Sequence, residues 1–273
     1  MNISERKENN GMENIISCLT NAYHNFSLED ALKGISRAGF CYVELLAEPI
    51  RRQWVHPDMP LKPLKEKLTK NCLKVSSLSA PSDFLQDEGR DYFKKCLELT
   101  KKLNARIINT PVGEPKNEKE TKTMLKNLKN AASYAESLGM IMALEPHGDI
   151  TSTGQKVLEI VNKLDSAAVK INYDTANVIF YGNVNPEDDL PLVVSQVAHL
   201  HIKDKRGGYK KWDFPALGKG RINFPAIFRI LQLAHYQGPL SVEIEFAPGG
   251  SKNLKEIDEA VQESFVYLKR LFK

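Results

Sequence analysis

The sequence predicts an α/β protein, a single (β/α)₈ barrel, and two observations carry that expectation. Eight short apolar or β-branched runs alternate with longer segments whose apolar residues recur at three-and-four spacing. Alternation of this kind implies a parallel sheet with helical crossovers, because parallel neighbours cannot be joined by a tight turn. The chain has 273 residues with no low-complexity linker and no break in composition. Eight repeats within one domain of that length suit a closed barrel rather than an open sheet.

Strands are expected at residues 15–22, 41–46, 74–78, 105–110, 141–145, 169–173, 197–202 and 240–246. Between them, the helix over 28–38 follows Ser27, an N-cap residue, and stops at Gly39, which suits a left-handed cap. Amphipathic helices follow at 61–71, 83–103, 118–138 and 155–164. A shorter pattern covers 188–195, and helices at 224–236 and 254–272 close the series. Strand side chains alternate, so Val242, Ile244 and Phe246 share one face while Ser241, Glu243 and Glu245 share the other. Leu200 and Ile202 likewise oppose His199 and His201, and Met142 and Leu144 oppose Glu145. An outer face packed on helices should be apolar, whereas an inner face near the barrel mouth can carry functional groups.

Residues 13–273 form the expected barrel domain, and the polar, charged residues 1–12 are a loose leader without the apolar segment of a secretory signal. Hydrophobic residues make up 42% of the chain, enough for a core that needs neither disulfides nor structural metal. Cys18, Cys41, Cys72 and Cys96 have no CxxC or zinc-ribbon spacing, so reduced thiols and a cytoplasmic location are expected. No run reaches the ~20 apolar residues of a membrane span. A net charge of +4, with acidic residues interspersed, argues against nucleic acid as a partner. The expected partner is a small-molecule carbohydrate, and assembly into a homo-oligomer is compatible with the sequence.

Catalytic groups of such barrels sit at the C-terminal ends of the strands. Strand five ends in Leu144-Glu145-Pro146-His147, strand six in Asn172-Tyr173-Asp174-Thr175-Ala176-Asn177, strand seven in His199-Leu200-His201-Ile202-Lys203-Asp204, and strand eight in Val242-Glu243-Ile244-Glu245. Four consecutive strands thus deliver Glu145, Asp174, His201 and Glu243 to one rim. Three converging carboxylates repel one another unless a cation joins them. One imidazole among three carboxylates suits a divalent ion, Mn²⁺ first, with Mg²⁺, Co²⁺ and Zn²⁺ as alternatives. An ion accepting about six ligands keeps roughly two positions for vicinal substrate oxygens, such as a ketone and its neighbouring hydroxyl. Glu145 and Glu243 flank the Asp174/His201 pair and are the candidate acid/base residues.

These residues resemble those of the xylose-isomerase-like barrels, which include ketose 3-epimerases, hydroxypyruvate isomerase, inosose isomerases and dehydratases, and endonuclease IV. The resemblance runs from Ala38-Gly39-Phe40-Cys41-Tyr42-Val43-Glu44-Leu45 to Gly238-Pro239-Leu240-Ser241-Val242-Glu243. Its most specific pieces are Leu144-Glu145-Pro146, Tyr173-Asp174-Thr175-Ala176-Asn177, His199-Leu200-His201-Ile202-Lys203-Asp204 and Leu217-Gly218-Lys219-Gly220. It implies that Glu145, Asp174, His201 and Glu243 hold Mn²⁺ or a similar ion and that the two glutamates exchange a substrate proton. Ketose epimerases often carry a substrate-contacting His where this chain has Asn177, a departure that bears on the substrate rather than the metal.

His147, Asn177, His199, Lys203, Trp212 and Arg221 are the further candidates for substrate contact. His199 lies one layer deeper than His201, and a hydrogen-bonded supporting role is its alternative. Glu44 and Glu245 are expected as polar inner-layer residues, Glu245 being the rival of Glu243. The Lys-, Arg- and Gly-rich loop over 205–221 reads either as a phosphate-binding loop or as a solvated one. Trp54, Phe84, Trp212 and Phe214 are expected at the catalytic rim, where aromatic faces suit a sugar, whereas His24, His56 and His235 carry no spacing signal. The expected activity is isomerisation or epimerisation of a keto-sugar, sugar phosphate or related polyol ketone through a metal-stabilised enediolate. A dehydratase or lyase on a keto-sugar or keto-inositol shares the first step. An endonuclease IV-like reading needs further His ligands, which Ser79-Ala80-Pro81 and Asn109-Thr110-Pro111 do not supply.

Overall fold

The computed structural model describes residues 14–49 and 54–272; the expected leader over 1–12 lies outside the described residues. Eight parallel strands, each hydrogen-bonded to the next and the last to the first, close into a barrel. They are β1 (Ile16–Leu19), β2 (Tyr42–Leu46), β3 (Lys74–Ser79), β4 (Ile107–Thr110), β5 (Ile141–Leu144), β6 (Val169–Asp174), β7 (Val197–Lys203) and β8 (Leu240–Glu243). The surrounding helices are α1 (Leu28–Ala38), α2 (Leu61–Lys70), α3 (Asp87–Lys102), α4 (Glu118–Ser137), α5 (Gly154–Leu164), α6 (Asn177–Gly182), α7 (Pro186–Val193), α8 (Phe224–Leu233) and α9 (Leu254–Leu271). Among the described residues, no helix is long and apolar enough to cross a membrane.

Local chemistry sets the helix ends. Ser27 and Asp30 form a reciprocal capping box at the start of α1, and Gly39 ends it with φ of 108°. Asn117, Thr153, Asn223 and Asn253 each accept a backbone N–H at the start of α4, α5, α8 and α9. The apolar helix faces pack on the outer face of the sheet. Val43, Leu45, Leu78, Ile108, Met142, Leu144, Leu200, Ile202 and Val242 are all buried there.

Two expected strands are shorter than predicted, the helices expected over 83–103 and 224–236 span Asp87–Lys102 and Phe224–Leu233, and one short helix was not predicted. The first strand stops at Leu19 because Thr20–Tyr23 winds into a 3₁₀ turn. The eighth stops at Glu243, because Phe246 takes φ of 58° and exchanges backbone hydrogen bonds with Phe214. A six-residue helix, Asn177–Gly182, precedes α7 and was too short to show a period in sequence.

The loop after β7 is organised by one buried carboxylate. Asp204 accepts the backbone N–H groups of Lys205 at 2.7 Å, Gly218 at 2.9 Å, Gly220 at 2.8 Å and Ile222 at 3.3 Å. A Cβ on Gly220 would lie 2.1 Å from Asp204 Oδ1, so that turn requires glycine. The buried Lys205 ammonium donates to the carbonyls of Arg206 and Lys211 and faces the Phe180 and Phe214 rings. This settles the 205–221 loop as self-bonded: three of its amides are already held by Asp204. Removing a carboxylate that satisfies four N–H groups strands them, so Asp204→Ala is expected to lower the unfolding free energy by about 3 kcal/mol and Tm by roughly 5–10 °C. Urea and thermal denaturation check this, and an unchanged midpoint would mean that the loop is held by other contacts.

Candidate metal centre and active site

The strand register brings the charged residues together. Asp174 pairs with His201 across β6 and β7, and Lys203 with Glu243 across β7 and β8. Glu145 follows the last residue of β5, with its N–H on Thr110 O at 3.1 Å. Glu145, Asp174, His201 and Glu243 are buried, and each offers a ligand atom that lies within 4.8 Å of the others. His201 Nδ1 lies 2.9 Å from Glu243 Oε2, 3.2 Å from Glu145 Oε1 and 4.0 Å from Asp174 Oδ2.

The rest of the cluster is anchored by amides and one lysine. Asp174 Oδ1 accepts the backbone N–H groups of Ala176 and Asn177, both at 2.8 Å, at the start of α6. Asn177 Nδ2 donates to Glu145 Oε1 at 3.2 Å, and Asn21 Nδ2 to Glu243 Oε1 at 2.8 Å. Lys203 Nζ lies 2.6 Å from Glu245, 3.3 Å from Glu243 and 3.7 Å from Asp174, over the Phe214 ring.

Burial pushes the Asp174 carboxyl well above its ordinary range, against the pull of Lys203. Burial acts on Glu243 in the same sense, but Lys203 and His201 outweigh it and hold that carboxyl low. Burial lowers the affinity of His201 for a proton, yet Glu44, Glu243 and Glu145 reverse this and hold the imidazole well above its usual range. The cluster therefore demands positive charge at its centre, which is what a cation supplies.

The donor set fits a divalent ion. Asp174 Oδ2 is buried with no hydrogen-bond donor among the described residues, and Glu243 Oε2, 2.9 Å from His201 Nδ1, has no other partner there. Unpartnered carboxylate oxygens in a buried site are costly unless something cationic meets them. Three carboxylates and one imidazole are ligands for a hard or borderline ion of the Mn²⁺ or Zn²⁺ kind.

A cavity of about 430 Å³ opens on Glu145, His201 and Glu243, a size that accommodates a monosaccharide; Asp174 is fully buried and does not line it. Of the further candidates, His147, Asn177, Lys203 and Trp212 line it. Arg221 does not: it is exposed, and its backbone N–H is spent on Lys205 O within the Asp204-organised loop. His199 does not either. It is buried beneath the site, bonded to Ser77 Oγ at 2.9 Å and Asn172 Oδ1 at 2.7 Å, and burial lowers its pKa to about 4.

Glu245 lines the cavity but pairs with Lys203 instead of joining the four. Of the four expected rim aromatics, Trp212 and Phe214 line the cavity, whereas Trp54 packs on Leu19 and Leu46 and Phe84 is core.

Sequence reasoning missed three contributors. Asn21 was hidden inside the overlong first strand. His24, which carried no spacing signal, lines the cavity and bonds Gly249 O at 2.8 Å. Tyr181, on the unanticipated α6, lines the cavity and bonds His147 Nε2 at 2.9 Å.

A family model described as xylose isomerase-like TIM barrel matches residues 32–271. Inosose dehydratase of Clostridium perfringens is 28% identical over 163 residues, 52% of this chain and 54% of that protein. Inosose dehydratase of Bacillus thuringiensis is 25% identical over 227 residues, 76% of this chain and 72% of that protein. The chain thus spans about half the length of the clostridial relatives it matches. Among solved structures, D-allulose 3-epimerase from Methylomonas sp. aligns with a TM-score of 0.75 at 17% identity, covering 95% of this chain and 98% of that one. The IOLI protein with a binding zinc atom aligns with a TM-score of 0.75 at 21% identity, covering 94% and 97%. These structural likenesses concern the fold.

One divalent ion per chain is expected on metal analysis after loading and desalting. At an ion concentration 100-fold above Kd the ion should stabilise the protein by about 2.7 kcal/mol, seen as a rise in Tm that a chelator reverses. Asp174→Ala and His201→Ala should each abolish the rise, and an equal rise in both variants would place the ion elsewhere.

Proposed function

The chain belongs to the xylose isomerase-like TIM barrel family, and on that premise we propose that it is a divalent-metal-dependent isomerase or epimerase of an unphosphorylated keto-sugar or related polyol ketone. The observation that carries this reading is the convergence of Glu145, Asp174, His201 and Glu243 within ligand distance of one another at one cavity, with the buried Asp174 Oδ2 lacking any donor among the described residues. The four would hold the ion. Mn²⁺ is the first choice on the oxygen-rich donor set, and the free cysteines accord with a cytoplasmic site of action.

Bound there, a divalent ion polarises the ketone and offsets the negative charge that grows on its oxygen as the neighbouring C–H is deprotonated. The protein does the rest. Glu145 and Glu243 come from strands on either side of the Asp174/His201 pair. One carboxylate removes the proton from the carbon next to the carbonyl, and the other returns a proton to the opposite face or the adjacent carbon. Lys203, between Glu243, Glu245 and Asn177 Oδ1, offsets the charge of the carboxylates that face the substrate. Trp212 and Phe214 offer aromatic faces to the apolar side of the sugar.

Charge argues against a phosphorylated substrate. Among the described residues, Glu145, Glu243 and Glu245 line the cavity, and the one lysine there, Lys203, is already paired with carboxylates. The amides that a phosphate would use in the loop after β7 bind Asp204 instead.

A dehydratase is the second reading, favoured by the curated relatives named inosose dehydratase. It begins with the same proton removal and then expels a hydroxyl as water, for which Lys203 is the nearest cationic donor.

In D₂O, with metal and a screen of ketoses and keto-inositols, deuterium is expected at the carbon next to the carbonyl. Retention of every hydroxyl supports the isomerase or epimerase; loss of one water supports the dehydratase. Glu145→Gln and Glu243→Gln should each slow exchange by about 10²–10⁴-fold. Ketose phosphates should exchange more slowly than their free ketoses, and full activity of Glu145→Gln would overturn the acid/base assignment.

A further inference from the structure

We infer that Glu44, which does not line the cavity, is a positioning residue that keeps a proton on His201 Nε2 and so presents Nδ1 to the carboxylate cluster as the metal-binding nitrogen. The inference rests on the metal reading above. It starts from a chain of polar side chains inside the barrel, where every member is buried and no bulk water can substitute for a missing partner. Ser77, Asn109, Asn172, His199 and Glu44 are all fully buried, and His201 is 1% exposed.

The geometry around Glu44 shows which ring nitrogen of His201 carries a hydrogen. Glu44 Oε2 lies 3.2 Å from His201 Nε2, and Glu44 Oε1 accepts from Asn109 Nδ2. A carboxylate only accepts, so Nε2 of His201 must carry the hydrogen. On the other side of the ring, Nδ1 lies within reach of three carboxylates and the Asn172 amide. Asn172 bridges the two histidines, its Oδ1 2.7 Å from His199 Nδ1 and its Nδ2 3.2 Å from His201 Nδ1. His199 therefore donates from Nδ1 and receives at Nε2 from Ser77 Oγ, 2.9 Å away.

Turning the Asn172 amide over would call for a hydrogen on His201 Nδ1. In a neutral ring that would set the bare Nε2 lone pair against the Glu44 carboxylate. Ser77 donates to His199, His199 to Asn172 and His201 to Glu44, whereas the Asn172 Nδ2–H approaches the Nδ1 lone pair that a metal ion would take. The chain leaves Nδ1 facing Glu243, Glu145 and Asp174. A carboxylate behind a metal-bound histidine also strengthens the imidazole as a ligand.

The test is nitrogen-15 NMR of zinc-loaded protein labelled at histidine, with metal affinities measured by chelator competition. In wild type, His201 is expected to show a metal-shifted Nδ1 and a proton on Nε2 moved downfield by its hydrogen bond. Glu44→Ala should move that proton upfield and weaken zinc binding by about 10–100-fold. Glu44→Gln should lose less, because its amide oxygen can still accept from Nε2 once the Asn109 amide turns to meet the new N–H. A role in packing alone would leave the Nε2 proton and the affinity of Glu44→Ala in place. Coordination through Nε2 in wild type, or Glu44→Ala binding within about twofold of wild type, would overturn this inference alone. Wild-type protein that binds no divalent ion would overturn the metal reading and this inference together. The wild-type spectrum and Glu44→Gln decide the matter even where Glu44→Ala does not fold.

Discussion

The structure depends on a cluster of buried negative charge at the C-terminal mouth of the barrel. Glu145, Asp174 and Glu243 are brought within reach of one another, with Glu44 beneath and Glu245 beside them. Two unit charges 4 Å apart repel by about 4 kcal/mol at the effective dielectric typical of protein sites. His201 and Lys203 answer part of this, and their proton affinities rise accordingly. They do not answer all of it, since the buried Asp174 Oδ2 still lacks a donor among the described residues. A fold that carries such a deficit must be held by contacts elsewhere, and the continuous apolar layer between sheet and helices provides them.

How much of this was legible in sequence follows from what sequence physics encodes. Period two places alternate strand residues on opposite faces, so His201 and Glu243 could be assigned to the mouth before any coordinates. Strand–helix alternation gave the barrel itself. Backbone turns of positive φ are another matter. Phe246 at 58° ends the last strand early, and nothing in an apolar side chain announces that conformation. His24 reaches the cavity only because its ring meets the carbonyl of Gly249, 225 residues away. Tyr181 sits on a helix too short to develop a period. Arg221 was a candidate on composition, but a charged side chain in a basic loop faces solvent unless the backbone turns it inward.

The loop after β7 shows how one acidic residue changes the meaning of a glycine-rich segment. Free amides at Gly218 and Gly220 would form an anion site. Asp204 occupies those amides from within, and the Cβ-free Gly220 lets its carboxylate approach. The same peptide sequence without an internal carboxylate would read as a phosphate loop. With it, the segment becomes a rigid strap that carries Trp212 and Phe214 to the cavity. The capacity of this loop for an anion is thus set by a carboxylate within it.

The barrel interior raises a final point about cost. Small barrels are usually filled with Val, Ile and Leu, yet here Ser77, Asn109, Asn172, His199 and Glu44 occupy the space beneath the site. Burying polar groups is at best neutral for stability unless every one is satisfied, and apolar replacements of equal volume are often more stable. Ser17 Oγ and Asn109 Oδ1, without partners among the described residues, show that satisfaction here is incomplete. Stability therefore does not explain this filling. Orientation does: hydrogen bonds from opposite sides fix one imidazole in its rotamer and tautomer, which apolar packing could not do. The interior is less stable than it could be because His201 has to face the carboxylates with the correct nitrogen.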